Sequence, residues 1–524
     1  MKIKGKLIIL SIIIFIAINI LVFFIINKDK IFKEEITETA LSDEKINVLM
    51  IEPDYLLSIV SNNKYVHEVC NLVFEGLTKD DDELKAQPKL AKLILTSDNL
   101  NWEVTLRDDV YFHNGDKFAA DDVVFTINKI KELGEKSYFL YNVQNIKNVT
   151  MVSDYKLLIE LNDYDNFFPE KLTFPVLSKK YYEYSNLLDE DRYIGTGPYK
   201  LSSKSDELIR LKYNEDYYLE SKGNIKDIDV KIIAKTRPGF DLLKLGEIDI
   251  ADTNTEVGAY GRSAYSNAKY VTSVFEGIVL NPDNEILKDN ILRQAMLLAI
   301  NRDYIIENEL NGYGVYADIP VNPDSYLYLD ELKKYAFNPE RAQDLLTNSG
   351  WNSKTGIRSK EGNRLEFDLL INSEAKGALN KAKYIKNDLL NVGIGINIVS
   401  KSSGDYMYSV KSNDYDLAII DWAVTDYPEF LYNFESNSLE NVFGFKNEEY
   451  DYLVYLAKHE ILEGKQKEHF GKMQKILFDE LPMMGLYFET STVFYNKSLG
   501  EQMKPKINDI YSGINDFVFV RDIE

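Results

Sequence analysis

Apolar positions along the chain follow three kinds of pattern, and each predicts a different element. Residues 7–26, LIILSIIIFIAINILVFFII, form an unbroken uncharged run long enough for a helix to cross the hydrocarbon core of a bilayer. Strict alternation comes next: Trp102, Val104 and Leu106 alternate with Glu103, Thr105 and Arg107, the period-two mark of a half-buried strand. A short strand-like arm, Val110-Tyr111-Phe112, leads into Asn114-Gly115, a dipeptide suited to a tight turn. Helical spacing follows at Val123, Val124, Ile127 and Ile130, behind Asp121 and Asp122, acids favoured in a first turn by the helix dipole. Similar patterns predict a buried strand at 48–51 and a helix over 65–77 stopped by an αL Gly76. Strands are expected at 146–152 and 156–161, with helix or loop over 167–177 and 178–184. A strand at 274–281 runs into a helix at 289–300, and a helix capped by Asn338 and opened by Pro339 closes at Gly350. Strand 365–371, helix 376–390 and strand 394–399 make a βαβ unit, followed by a strand at 416–422. Helices are expected over 450–462 and 466–481, then short strands that include 484–488 and 516–520.

The uncharged run begins after Lys2, Lys4 and Lys6, and no small-x-small cleavage site follows it. The single cysteine is Cys70, so lipid attachment to a processed N-terminal cysteine is excluded and an uncleaved signal anchor is expected. Residues 1–28 are then an anchor and 29–45 a charged tether. Lys28, Lys30 and Lys33 on the far side leave the orientation open on charge alone.

A chain of 524 residues calls for two or three domains, and 45% hydrophobic with 28% charged residues is an ordinary globular composition. The net charge of -23 argues against nucleic acid, whose phosphates it would repel, and is met by a solvated acidic surface. Cys70 lies among Val66, Val69 and Val73 on one helical face and reads as a quiet buried thiol. The histidines His67, His113, His459 and His469 are scattered without metal-ligand spacing, so no metal and no cofactor is expected. No nucleophile-elbow serine and no Cys–His pairing is visible, which leaves a hydrolase without support.

Several blocks together resemble the extracellular solute-binding proteins, family 5, of ABC importers. Leu106-Arg107, Val110, Phe112-His113, Gly115, Ala120 and Asp122-Val123-Val124-Phe125 match its "LRxGVxFHxGxxxTAxDVVFS" block, with Ala119 in place of the capping Thr. Phe74-Glu75-Gly76-Leu77 is similar to "YEGL", Pro88-Lys89-Leu90-Ala91 to "PxLA", and residues 195–199 are identical to "GTGPY". Gly246-Glu247-Ile248-Asp249-Ile250 resembles "GEIDI"; Leu292-Arg293-Gln294-Ala295 with Ala299-Ile300-Asn301-Arg302 resembles "VRQAxxxAIDR". The resemblance runs from about Ile46 to the C-terminus.

It implies an α/β fold: a two-lobed periplasmic-binding-protein-like fold, with an extra subdomain in the first lobe, behind the N-terminal transmembrane helix. Lobe I would take 46–78 and 190–275 with a return at 493–524, the subdomain 79–189, and lobe II 276–492. In peptide-binding members an Asp in an "ADYxxP" loop takes the peptide's amino group; Asp426 in Asp421–Glu429 is its counterpart here, although Trp422 stands four residues before it rather than three and Phe430 replaces a second Pro. Asn62, Asn63 and Lys64 fall where members offer main-chain contacts, and Trp422 and Tyr427 are candidates to line side-chain pockets. The resemblance therefore implies a membrane-anchored, single-pass protein with its bulk outside, delivering an oligopeptide to ABC permease subunits. A peptide sensor without transport, or a carrier of a nickel chelate or other non-peptide solute, stands as the alternative; residues 1–6 leave a sensor little cytoplasmic chain to signal with.

Overall fold

The structure, a computed structural model, describes residues 45–188, 192–220, 225–234, 239–254, 264–332, 335–353, 356–499 and 503–514. The apolar run 7–26, the tether after it and the strand expected at 516–520 lie outside the described residues. Among the described residues no helix is long and apolar enough to cross a membrane.

Two four-stranded sheets share one core. In the first, Lys45–Ile51 runs parallel to Asp227–Ile233, which Leu208–Tyr213 and Tyr199–Lys204 continue antiparallel. The second is antiparallel, in the order Ala91–Thr96, Asn101–Leu106, Lys156–Leu161, Ile146–Ser153. Its alternation is as the sequence predicts: Trp102, Val104 and Leu106 are buried, and they join Val123, Ile127 and Ile130 of helix Ala120–Leu133 in the core. Ala119 has no side chain to cap that helix, and Asp122 Oδ2 substitutes by accepting from Ala119 N at 2.9 Å. The arm at 110–112 is reduced to a single bridge, Tyr111 with Lys117, around Gly115 at φ +85°.

A seven-stranded sheet forms the other half, in the order Ile250–Thr253, Met483–Tyr495, Ser266–Leu280, Leu417–Ala423, Glu366–Asn372, Gly395–Lys401, with Gly314–Tyr316 also on Met483–Tyr495. The βαβ unit is present: Glu366–Asn372 and Gly395–Lys401 are parallel, and helix Ala378–Asn391 between them buries Ala382, Ile385 and Leu389 at helical spacing.

Ser266–Leu280 and Met483–Tyr495 are much longer than the short strands expected there, because each serves both halves. Tyr270, Val493 and Tyr495 belong to the first core, whereas Phe275, Ile278, Leu486 and Phe488 belong to the second. Their ladder breaks at the changeover, from Val271 opposite Thr490 to Phe275 opposite Phe488. The extra residues make a bulge, a local kink in an otherwise stiff ribbon. Thr272 Oγ1 pins it, donating to Glu489 O at 3.0 Å and accepting from Val274 N at 3.2 Å. Two lobes joined by crossing strands are thus formed, as the resemblance implies.

One predicted helix is corrected. Helix Lys64–Cys70 ends well short of residue 77, because the backbone beyond it turns to neighbouring segments. Gly197 N donates to Val73 O at 2.8 Å, Tyr199 N to Leu72 O at 3.0 Å and Leu77 N to Leu172 O at 2.9 Å. Gly76 is not an αL stop; a Cβ there would meet the Thr173 backbone at 2.7 Å. Close approach also explains the GTGPY block, since a Cβ on Gly195 would sit 2.0 Å from Val73 O. His113 braces the same block, its Nε2 2.9 Å from Gly197 O.

Candidate functional site

The strand Leu417–Ala423 leaves its sheet beside the bulge, where Val424 N donates to Ser273 O at 2.8 Å. Thr425, Asp426 and Tyr427 follow, turned by a bond from Thr425 Oγ1 to Tyr427 O at 2.7 Å. This loop faces a cavity of about 470 Å³ between the lobes. Across from it, helix Lys64–Cys70 and the segment 71–76 form the lobe I wall.

Asp426 is 8% exposed, and its one hydrogen-bond partner among the described residues is Asn508, whose Nδ2 donates to Oδ2 at 2.8 Å. Burial pushes its carboxyl up to about 8, with the neighbouring Asp80 charge adding to the shift. Such a group is poised to accept an ammonium, which would supply the missing charge and the missing donors together.

Of the other residues singled out by resemblance, Asn62, Lys64 and Tyr427 also line the cavity. Lys64 Nζ is paired with Asp252 Oδ2 at 2.6 Å. Tyr427 packs on Phe167 with ring centroids 5.0 Å apart. Asn63 and Trp422 are not among the residues that line the cavity. Asn63 caps helix Lys64–Cys70: its Oδ1 accepts from Tyr65 N at 3.0 Å, and its Nδ2 donates to Ile51 O at 2.9 Å. Trp422 points to the other side of its strand, against Phe275, Phe430 and Phe443 at centroid distances of 6.1, 6.0 and 5.8 Å.

Several contributors lie outside the motifs. Residues 506–514 build one side of the cavity: Asn71 Nδ2 donates to Asn508 O at 2.6 Å, Lys79 pairs with Asp509 at 2.8 Å, and Ile510 N donates to Glu68 Oε2 at 2.8 Å. Burial drives the Glu68 carboxyl well above the usual range, with Asp509 reinforcing the shift. Glu75 of the "EGL" block accepts from Thr196 Oγ1, Tyr217 OH and Tyr218 OH at 2.9, 2.7 and 3.1 Å, so it is held as a structural anchor. Next to the cavity-lining Glu170, Lys171 bridges Asp165 and Glu429 at 2.8 and 2.7 Å, tying residues 165–171 to the loop at 425–429. A composition signal for these residues does not exist; the polar run before residue 515 looks like any loop.

Comparison with known proteins agrees with this architecture. Residues 85–441 match the bacterial extracellular solute-binding proteins, family 5, in the middle region of that family. The oligopeptide-binding protein AppA of Bacillus subtilis is 28% identical over 489 residues, covering 88% of this chain and 89% of that protein. NikZ from Campylobacter jejuni, solved in complex with Ni(L-His), superposes with a TM-score of 0.64 at 25% identity, covering 91% of this chain and 100% of NikZ. A putative peptide-binding protein AppA from Clostridium difficile gives a TM-score of 0.73 at 21% identity, covering 91% and 100%. With two α/β lobes flanking a cavity and a family match over residues 85–441, the chain belongs to the bacterial extracellular solute-binding proteins, family 5.

Proposed function

We propose that this protein captures an oligopeptide outside the cell and hands it to the permease of an ABC importer, held at the membrane by residues 7–26. The observation that carries the peptide reading is Asp426: a buried carboxylate on the cavity wall, next to the crossing strands, with one neutral partner. The relatives named for oligopeptides support the same reading. Residues 276–492 would then swing on the bulge at 272–274 to close over the ligand.

The test compares wild type with Asp426→Asn, by calorimetry, on one peptide in free and N-acetylated forms. Loss of one partner of a buried charged pair costs about 2–5 kcal/mol, on the order of thirty-fold or more in affinity. Wild type should lose that much on acetylation and the variant far less, because both changes remove the same interaction. Equal losses in the two proteins would move the amine site away from Asp426. For the anchor, the protein should remain with membranes after a high-salt wash and keep Met1. An N-terminal sequence beginning near residue 30 or beyond would rule the anchor out.

A further inference from the structure

Among the described residues the cavity is lined by six carboxylates, Glu68, Glu75, Asp80, Glu170, Asp426 and Asp509, against four lysines and no arginine. All four lysines are committed: Lys64 to Asp252 at 2.6 Å, Lys79 to Asp509 at 2.8 Å, Lys89 to Glu75 at 3.2 Å and Lys506 to Asp82 at 3.5 Å. Among the described residues Glu68, Asp80, Glu170 and Asp426 therefore have no ion-pair partner. Glu68 takes a backbone donor and Asp426 takes Asn508. Glu170 is the outlier. It is 8% exposed; Oε1 accepts from Tyr326 OH at 3.3 Å, while Oε2 is buried without any hydrogen-bond partner among the described residues.

Local folding brings Glu170 beside Asp80. The turn Pro169–Thr173 that carries Glu170 packs on strand Thr78–Asp80, with Thr78 Oγ1 donating to Pro169 O at 2.8 Å. Burial pushes the Glu170 carboxyl up to about 8, and the charges of Asp80 and Asp165 add to it. Asp80 also raises Asp426, so it stands within electrostatic reach of both. Lys506 and Lys79 offset only part of the Asp80 charge, and burial still holds its carboxyl at about 6. Burial thus keeps the Glu170 carboxyl largely protonated near neutral pH, with Oε2 still lacking a hydrogen-bond partner, and a cation arriving from outside would favour the ionised form and pair with it. A cationic group carried by the ligand would supply both the donor and the counter-charge.

We infer that Glu170 and Asp80 form a second cation subsite in the cleft, and that the ligand carries two positive charges: a terminal ammonium at Asp426 and a basic side chain near the amino end of the peptide. The inference rests on the peptide reading above for the first charge and on Glu170 for the second. It makes Glu170 a specificity residue, one that selects lysyl or arginyl peptides over neutral ones of the same shape.

The probes are trialanine, Lys-Ala-Ala, Ala-Lys-Ala, their norleucine counterparts, and 1,5-diaminopentane, titrated by calorimetry into the full chain in detergent. Norleucine keeps the aliphatic stem and removes the charge. Wild type should bind at least one lysyl peptide about tenfold or more tighter than its norleucine twin. Glu170→Gln should bring that ratio close to one, and Asp80→Asn, a second variant should the first fold poorly, should lower it as well. If norleucyl and lysyl peptides bind alike while trialanine binds, the subsite is overturned and the peptide reading stands. If all peptides are silent but the diamine binds wild type and not Glu170→Gln, the subsite stands and the peptide reading falls. Silence from every probe overturns both.

Discussion

At the scale of single residues, buried carboxyls set how the empty protein responds to pH. Asp426 is raised to about 8 from 3.8, Glu170 to about 8 from 4.5 and Glu276 to about 7 from 4.5, in each case mainly by burial. Between the ordinary and the raised values the folded chain binds more protons than the unfolded one, so stability falls as pH rises through that window. His113, lowered by burial to about 4 from 6.5, acts with the opposite sign below pH 6.5. The clean window is therefore about pH 6.5 to 8.5. Thermal unfolding of the ligand-free protein should move to lower temperature across it, and Asp426→Asn should shrink that drop. An unchanged slope in the variant would mean that Asp426 is already ionised in the empty cleft. That Asp426 would lie on the cavity wall was legible in the sequence, because its loop resembles a known block. Glu68, Asp80 and Glu170 were not, because 84 Asp and Glu residues offer no way to tell which few the fold will bury.

Among the elements, those with a complete periodic pattern were read correctly, and the misreadings have local causes. Strand Asn101–Leu106 and helix Ala378–Asn391 each carry their own signal. Residues 71–77 carry a helical pattern too, but there hydrogen bonds to 172 and 197–199 outcompete the intrahelical ones. Gly195→Ala should accordingly cost more than about 3 kcal/mol, since the clashing atom is backbone and cannot rotate away. A urea midpoint within 0.5 kcal/mol of wild type (about the range of a neutral surface change) would refute that packing. Asn63→Ala separates cap from contact: loss of the N-cap should lower stability by about 1 kcal/mol, with ligand affinity little changed. A large affinity loss at unchanged stability would give the Asn63 side chain itself a role toward the ligand.

For the whole molecule, two lobes and crossing strands followed from the resemblance, whereas the contacts that hold the lobes together did not, being long-range in the chain. Lys171 is 5% exposed and sits between Asp165 and Glu429, with Tyr141 OH also on Glu429 at 2.6 Å. Lys171→Ala would leave two acids facing each other and should cost about 3–5 kcal/mol, read as a lower urea midpoint. Nearby, Asn99 Nδ2 donates to Lys458 O and Glu460 O at 3.0 and 2.8 Å, a second long-range contact of the same kind. If the bulge at 272–274 is the hinge, small-angle scattering should give a smaller radius of gyration with saturating peptide than without. An unchanged radius would place the closed arrangement before binding.

The wall supplied by residues 503–514 gives the molecule an order of assembly. Asp509 and Ile510 bond to Lys79 and Glu68, partners made more than four hundred residues earlier in synthesis, and Asn508 bonds to Asp426, made 82 residues earlier. A growing chain can thus complete the two four-stranded sheets and the seven-stranded sheet while its cleft is still open along one side. Ligand has no finished site to settle into until residues 503–514 have packed, so ligand would stabilise the finished protein without guiding its folding. A fusion or tag joined directly after residue 514 would burden that final step, and one placed before residue 45 would not.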